Sequence, residues 1–177
     1  MNRIVHESTR RHATVATTIG ELLAVADGDV LTGLYFPAHR YPPAPDSIGG
    51  RVEASDDDVF SRLAKQLEAY FDGRRRAFDI AVHTSGDELS ERVWALLREI
   101  PFGETTTYGA LAARLGNPHL AQRVGQCVGH NPISIVIPCH RVLGADGSLT
   151  GFAGGLERKR FLLDLEEPEH VRAGRLF

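Results

Sequence analysis

The chain has 177 residues, 42% of them hydrophobic, enough to bury a real core as one large domain or two small ones. No apolar run approaches the roughly 20 residues of a membrane span, and Met1 to Arg11 lacks the apolar core of a secretory signal, so a cytoplasmic globular protein without a membrane partner is expected. Two cysteines, Cys127 and Cys139, argue against a disulfide-stapled scaffold, and eight scattered histidines show no metal-finger spacing. The formal charge of −3 speaks weakly against a nucleic-acid partner. Its distribution speaks the other way: residues 98–160 carry seven basic and four acidic side chains, a moderately basic region suited to salt-sensitive DNA binding.

In chain order, residues 21–26 and 30–36 are β-prone runs flanking Asp27-Gly28-Asp29 and read as a hairpin. Residues 37–55, with Pro37, Pro42, Pro43, Pro45, Gly49 and Gly50, read as a long surface loop. Residues 56–72 have an acidic start, apolar positions at helical spacing and Gly73 as a stop, which predicts a helix. Residues 78–83 alternate as a strand, and Thr84-Ser85-Gly86-Asp87 reads as a domain junction, giving domains 1–85 and 86–177.

The second half reads as mainly helical, with an amphipathic helix over 88–100 ended by Pro101-Phe102-Gly103. A short helix over 108–115, the turn Gly116-Asn117-Pro118 and a helix to about Gly129 fit a helix-turn-helix or, equally well by pattern, an ordinary helical hairpin. Residues 133–137 read as a buried strand, Asp146-Gly147 as a turn and 156–166 as a closing helix. There are no internal repeats.

The segment from Asn131 to Val142 carries the chemistry, because an apolar run delivers Cys139-His140 onto a turn bounded by Pro138. Only thiolate attacks alkyl carbon well, and a free thiol, with a pKa of about 8.5, needs a neighbouring base or cation at neutral pH. His140 is a candidate base, directly or through a water, with Glu166 as the carboxylate behind it. Taken alone, a Cys-His dipeptide is more often structural. Cys127 has no motif around it and reads as packing.

Pro138-Cys139-His140-Arg141-Val142 resembles the active-site motif of the methylated-DNA-protein cysteine methyltransferases, or O6-alkylguanine-DNA alkyltransferases. The resemblance extends over about residues 89–166, through Val93-Trp94, Ile100-Pro101-Phe102-Gly103-Glu104, Tyr108-Gly109, Gly116-Asn117-Pro118, Asn131-Pro132, Gly151-Phe152-Ala153-Gly154-Gly155, Lys159, Leu162-Leu163 and Glu166. Thr18-Ile19-Gly20 with the hairpin resembles the family's N-terminal domain. The resemblance implies an α+β fold, with a small three-stranded N-terminal sheet and helices, ribonuclease H-like in shape, before a winged-helix type of helix-turn-helix. It implies no cofactor and no metal.

It also implies roles. Cys139 would accept the alkyl group, His140 act as base through a water, Glu166 orient His140, and Asn131 hold the turn beneath the cysteine, as a plain Asn-Pro turn former also would. Tyr108 would hydrogen-bond the purine or help rotate its phosphate, unless it is only core. Guanine would be flipped into a pocket made by Pro138, Val142, Phe152, Ala153 and Gly154, with the carbonyls of Cys139 and Val142 on its amino group and the Ala153 amide on O6. The loop 151–155 could equally be a flexible turn. Thr107, Asn117, Gln122, Arg123 and Gly125 would meet alkylated double-stranded DNA through the minor groove, the protein being a monomer with cooperative assembly along DNA left open.

Two positions depart from the family pattern. Phe152 stands where a Tyr is usual, so the ring stays and its hydroxyl is lost. Gln122 stands where the family carries its intercalating Arg, and Arg123, one residue on, is rotated by about 100°. Competing readings are a non-enzymatic sensor of alkylated DNA, a helix-turn-helix regulator and a cysteine hydrolase. Cys139 argues against the sensor, whose family lacks that cysteine, and no additional DNA-binding domain or oxyanion motif supports the others.

Overall fold

The structure, a computed structural model, describes residues 9–174. The first eight residues, including most of the stretch read above as lacking a signal core, and 175–177 lie outside the described residues.

β1 (Arg10–Thr17) and β2 (Gly20–Asp27) pair antiparallel from Arg10↔Asp27 to Thr17↔Gly20. β2 continues into β3 (Val30–Tyr35) through the expected two-residue turn, with Asp27↔Val30 paired and Gly28 at φ 56°. The sheet has four strands, in the order β3-β2-β1-β4, where three were expected. The extra strand, β4 (Gly50–Arg51), comes from the segment expected to be loop and pairs parallel with β1. Two residues leave no periodicity to read. What makes the pairing possible is Gly49, at φ 72°, whose added Cβ would sit 1.9 Å from the Arg10 carbonyl oxygen.

α1 (Asp58–Phe71) starts where Asp57 accepts from the Val59 and Phe60 amides, and it buries Phe60, Leu63, Gln66, Leu67 and Tyr70 against the sheet. The expected strand over 78–83 does not form. The Gln66 amide takes both backbone groups of Asp79, at 3.0 and 2.8 Å, so only Val82 is left to bridge Leu31 of β3.

Asp87 caps α2 (Glu88–Leu97), which ends three residues before the expected Ile100, because Ile100 precedes Pro101 and is driven out of the helical region. β5 (Thr106–Thr107) leads into α3 (Tyr108–Arg114), and after Gly116 a single 3-10 turn, Pro118–Leu120, opens α4 (Ala121–Gly129). α4 buries Val124, Cys127 and Val128, and the indole of Trp94 donates to the Cys127 carbonyl at 2.9 Å. This is the helix-turn-helix, packed on α2.

The buried strand expected at 133–137 is instead a tight turn. Asn131 accepts from the Ile133 amide at 3.0 Å and donates to the Ile137 carbonyl at 2.8 Å, while Ile137 N donates to Ile133 O at 2.9 Å. Those bonds consume the groups a strand would pair, and Ile135 is forced to φ 71°, strained for a β-branched residue. Only Ile133 bridges to Leu34, so the outer edge of β3 carries Val82 and Ile133 in succession and joins the two halves. β6 (Val142–Leu143) pairs parallel with β5, a reduced version of a wing, and α5 (Leu156–Glu166) and α6 (Glu169–Gly174) close the chain.

Gly49→Ala should cost about 2 kcal/mol or more in urea unfolding, because its Cβ meets backbone in a left-handed conformation. Gly50→Ala, with nothing within 4 Å, should change stability by under about 0.5 kcal/mol.

Candidate active site

Cys139 opens a 3-10 turn, Cys139–Arg141, directly after the buried Pro138. The turn is packed so closely that Cys139 is 5% exposed and His140 has no exposed surface. Burial pushes the thiol up, while a hydrogen bond from the Asn131 side chain, the Lys159 charge and the nearby backbone amides pull it down without cancelling the rise. The thiol is therefore protonated at rest and needs a base.

His140 is the next residue of the same turn. Its Nε2 lies 2.8 Å from Glu166 Oε1, whereas Nδ1 is buried with no hydrogen-bond partner among the described residues. Burial pushes the imidazole below its usual value, and the charges of Arg141 and Lys159 push the same way against the pull of Glu166. A neutral ring facing an ionised, acceptor-only carboxylate must carry its proton on Nε2. Nδ1 then holds the free lone pair.

Glu166, at the end of α5, is 2% exposed and accepts four hydrogen bonds. Oε1 takes the Tyr70 hydroxyl at 2.7 Å, His140 Nε2 at 2.8 Å and Arg141 Nη2 at 2.8 Å; Oε2 takes Arg141 Nε at 2.7 Å. Burial works to raise its pKa, but the hydrogen bonds from His140 and Arg141 and the Arg141 charge outweigh it and hold the group down at about 2. The stability this ion pair contributes is therefore present above the free carboxyl value and is lost as pH falls towards 2. Arg141 also donates to the Ile100 carbonyl at 2.6 Å and lies over the Phe102 ring at 5.9 Å, which pins the turn to the segment after α2.

Lys159 is the second buried cation. Its Nζ donates to the Val142 carbonyl at 2.6 Å and the Thr150 carbonyl at 3.0 Å, and burial brings its pKa down to about 8 despite the attraction of Cys139. It thereby ties the strand after the cysteine to the loop that begins at Thr150. From the sequence, Lys159 and Arg141 carry no assigned role, and Tyr70 reads only as an apolar position of the helix over 56–72. Basic residues within or near the motif could have signalled the first two. Nothing local signals Tyr70, which reaches Glu166 from 96 residues away.

The remaining expected residues fall into two groups. Asn131 and Val142 bond to the cysteine turn itself, and Tyr108, Phe152, Ala153 and Gly154 are held by Thr150, Phe36 and Arg40. Tyr108 is half-buried, accepts from Thr150 Oγ1 at 3.2 Å, and lies beside Gly125, whose Cβ would meet its ring at 3.6 Å. Phe152 packs on Phe36 with ring centroids 5.6 Å apart, and an added Cβ on Gly154 would strike that same Phe36 ring at 2.3 Å. Thr107, Asn117, Gln122 and Arg123 form the second group, on the outer side of the helix-turn-helix. Thr107 caps α3 by accepting from Ala110 N at 3.1 Å, Asn117 caps the Pro118 turn by accepting from His119 N at 3.0 Å, and Gln122 and Arg123 are exposed. Neither group lines the cleft of about 950 Å³ that reaches Glu166, and neither does Cys139.

Among the described residues no helix is long and apolar enough to cross a membrane, and no cluster of three or more His, Cys, Asp or Glu could hold a metal ion.

The family model described as the 6-O-methylguanine DNA methyltransferase ribonuclease-like domain matches residues 11–84, and that of the family's DNA binding domain matches residues 88–168. A methylated-DNA--protein-cysteine methyltransferase of Haemophilus influenzae is 43% identical over 158 residues, covering 88% of this chain and 86% of its own. One of Mycobacterium bovis with the same name is 42% identical over 156 residues, covering 88% and 92%. The Mycobacterium tuberculosis OGT, solved in complex with DNA, superposes with a TM-score of 0.79 at 41% identity over 89% of this chain and 92% of that one. With both domains of the family matched and relatives of this identity aligned along most of its length, the chain belongs to the 6-O-methylguanine DNA methyltransferase family.

Proposed function

We propose that this protein repairs O6-alkylguanine in DNA by moving the alkyl group irreversibly to Cys139. The observation that carries the reading is the state of His140, neutral, with Nε2 committed to Glu166 and Nδ1 unpartnered in the wall of a buried thiol's turn. Nδ1 takes the thiol proton, directly or through a water. The sulfur attacks the alkyl carbon, the S–C bond forms as the C–O6 bond breaks, and the electron pair leaves with guanine. Glu166 stabilises the resulting imidazolium without moving, since its oxygens already face His140 and Arg141. Tyr108 supplies a hydrogen bond to the departing purine, using the hydroxyl proton that its contact with Thr150 leaves available.

Pro138, Val142, Phe152, Ala153 and Gly154 bound the base pocket. The Val142 carbonyl already accepts from Lys159, and its second lone pair remains for the guanine amino group. The Cys139 carbonyl and the Ala153 amide complete the backbone set. Asn131 holds the turn. Thr107, Asn117, Gln122, Arg123 and Gly125 face alkylated duplex from the minor-groove side, and the nucleotide must be extruded to reach a thiol this deep. The protein acts as a monomer in the cytoplasm, built from residues 1–85 and 86–177. A pure sensor has no use for a thiol at this position.

The test is intact mass after incubation with an oligonucleotide containing O6-methylguanine. The expected result is a gain of one methyl group, mapped to Cys139 and stopping at one equivalent, because a thioether is not hydrolysed. Cys139→Ser should bind DNA and gain nothing. Several methyl groups removed per molecule, or transfer by Cys139→Ser, would refute the reading.

Gln122 makes extrusion the weak step, because a shorter, uncharged side chain fills the vacated stack less well than a long cation. Gln122→Arg should speed single-turnover repair of duplex by roughly tenfold, about 1.4 kcal/mol, and change the reaction with free O6-benzylguanine by less than about twofold. Should Gln122→Arg leave the duplex rate untouched while Arg123→Ala abolishes it, Arg123 is the intercalating residue.

A further inference from the structure

The segment after β3 takes no part in the chemistry above, yet its first residues are held firmly. His39 is 8% exposed, edge-on to Tyr35 at 5.3 Å and nearly parallel to Phe36 at 6.3 Å. With Ala38 at φ 54°, that anchoring fixes the direction in which Arg40 and Tyr41 leave the sheet. They leave towards the two elements that face substrate. The Arg40 amide donates to the Ala153 carbonyl at 2.9 Å, and the Tyr41 ring stacks on His130, which caps α4, with centroids 3.8 Å apart.

Along α4 the exposed Gln122, Gln126 and His130 fall at successive four-residue steps on one face, with Gly125 and Gly129 on its flank. Tyr108 lies against Gly125, and Tyr41 lies 3.8 Å from where a Cβ on Gly129 would be. Tyr108 is joined to Thr150, and Arg40 to Ala153. The flank of α4, Tyr108, the 150–153 segment and Arg40-Tyr41 thus form a continuous frame, one side of which belongs to the N-terminal half. Arg40 is exposed, its guanidinium 5.4 Å over the Tyr41 ring, and it has no carboxylate partner among the described residues.

We propose that Arg40 is a phosphate clamp for the DNA strand that delivers the extruded nucleotide, with Tyr41 as the platform that aims it. This rests on the alkyltransferase reading above. The architectural tie to Ala153 is made by the backbone, so the side chain of Arg40 contributes nothing to it and is left to meet a polyanion. A phosphate oxygen is the matching ligand, because guanidinium recognises it by paired N–H donors and the strand entering the frame presents one at every nucleotide. The N-terminal half then grips DNA directly, beside the loop that contacts the base.

The experiment compares wild type, Arg40→Gln, Tyr41→Ala and, as a control for loss of charge alone, Lys65→Gln on the exposed side of α1. Affinity for duplex containing O6-methylguanine is measured across a salt series, alongside single-turnover reaction with free O6-benzylguanine, which has no phosphate. Arg40→Gln should weaken duplex binding by roughly three- to tenfold and lower the salt slope by about 0.9, the loss of one phosphate contact. Tyr41→Ala should do so in part and Lys65→Gln not at all, and the free-base rate of Arg40→Gln should stay within about twofold of wild type. An unchanged salt slope in Arg40→Gln, or a free-base rate that falls by as much as the duplex affinity, would overturn the proposal. If wild type fails to methylate Cys139, the functional reading falls instead, and the slope on undamaged duplex still decides whether Arg40 holds a phosphate.

Discussion

Everything around the reactive thiol depends on one buried carboxylate. Glu166 gathers donors from α1, through Tyr70, and from the cysteine turn, through His140 and Arg141, at a depth where an unpaired charge would cost several kcal/mol. With all four bonds made it stays ionised, and an ionised carboxylate can only accept. That forces the tautomer of His140, leaves Nδ1 free and prepares the ring to receive a proton. The catalytic arrangement and the fold are the same set of bonds, since losing any donor loosens the turn and mis-sets the base together.

The N-terminal half is part of this site. Tyr70 completes the acceptor shell of Glu166, Phe36 backs both Phe152 and the close-packed Gly154, and the outer edge of β3 carries the turn that presents the cysteine. Every site residue expected from the resemblance lies in the second half of the chain. The packing makes the N-terminal half the wall against which Phe152 and Gly154 are held, so a substitution at Phe36 would act on that loop.

What could be read from the sequence was what local physics decides. Asp57, Asp87 and Thr107 are short polar residues ahead of apolar periodic runs, and each caps the helix that follows. The Gly28 turn was legible for the same reason. What was not legible depended on side chains reaching backbone elsewhere. Residues 133–137 have the composition of a buried strand, but Asn131 folds them into a turn, and residues 78–83 lose their pairing to Gln66. Within the proposed site, Cys139, His140 and Glu166 were legible through the motif and its spacing to the last helix, and His140 and Glu166 are in contact. Tyr70 was not legible, because its role exists only once the fold brings α1 to Glu166 at the end of α5. Phe152 and Gln122 were visible as departures, and the structure adds that the Phe152 ring has a packing partner in Phe36 while Gln122 is exposed on α4.

The central claim is that Glu166 keeps His140 neutral with its proton on Nε2. Nitrogen NMR of protein labelled at histidine, with the His140 signals identified by their loss in His140→Asn, reads this state directly. The account predicts a protonated Nε2 and an unprotonated Nδ1 at neutral pH, persisting to below the ordinary histidine value of about 6.5. It also predicts that Glu166→Gln removes the preference for that tautomer. An imidazolium at neutral pH, or a proton resident on Nδ1 in the wild type, would contradict it.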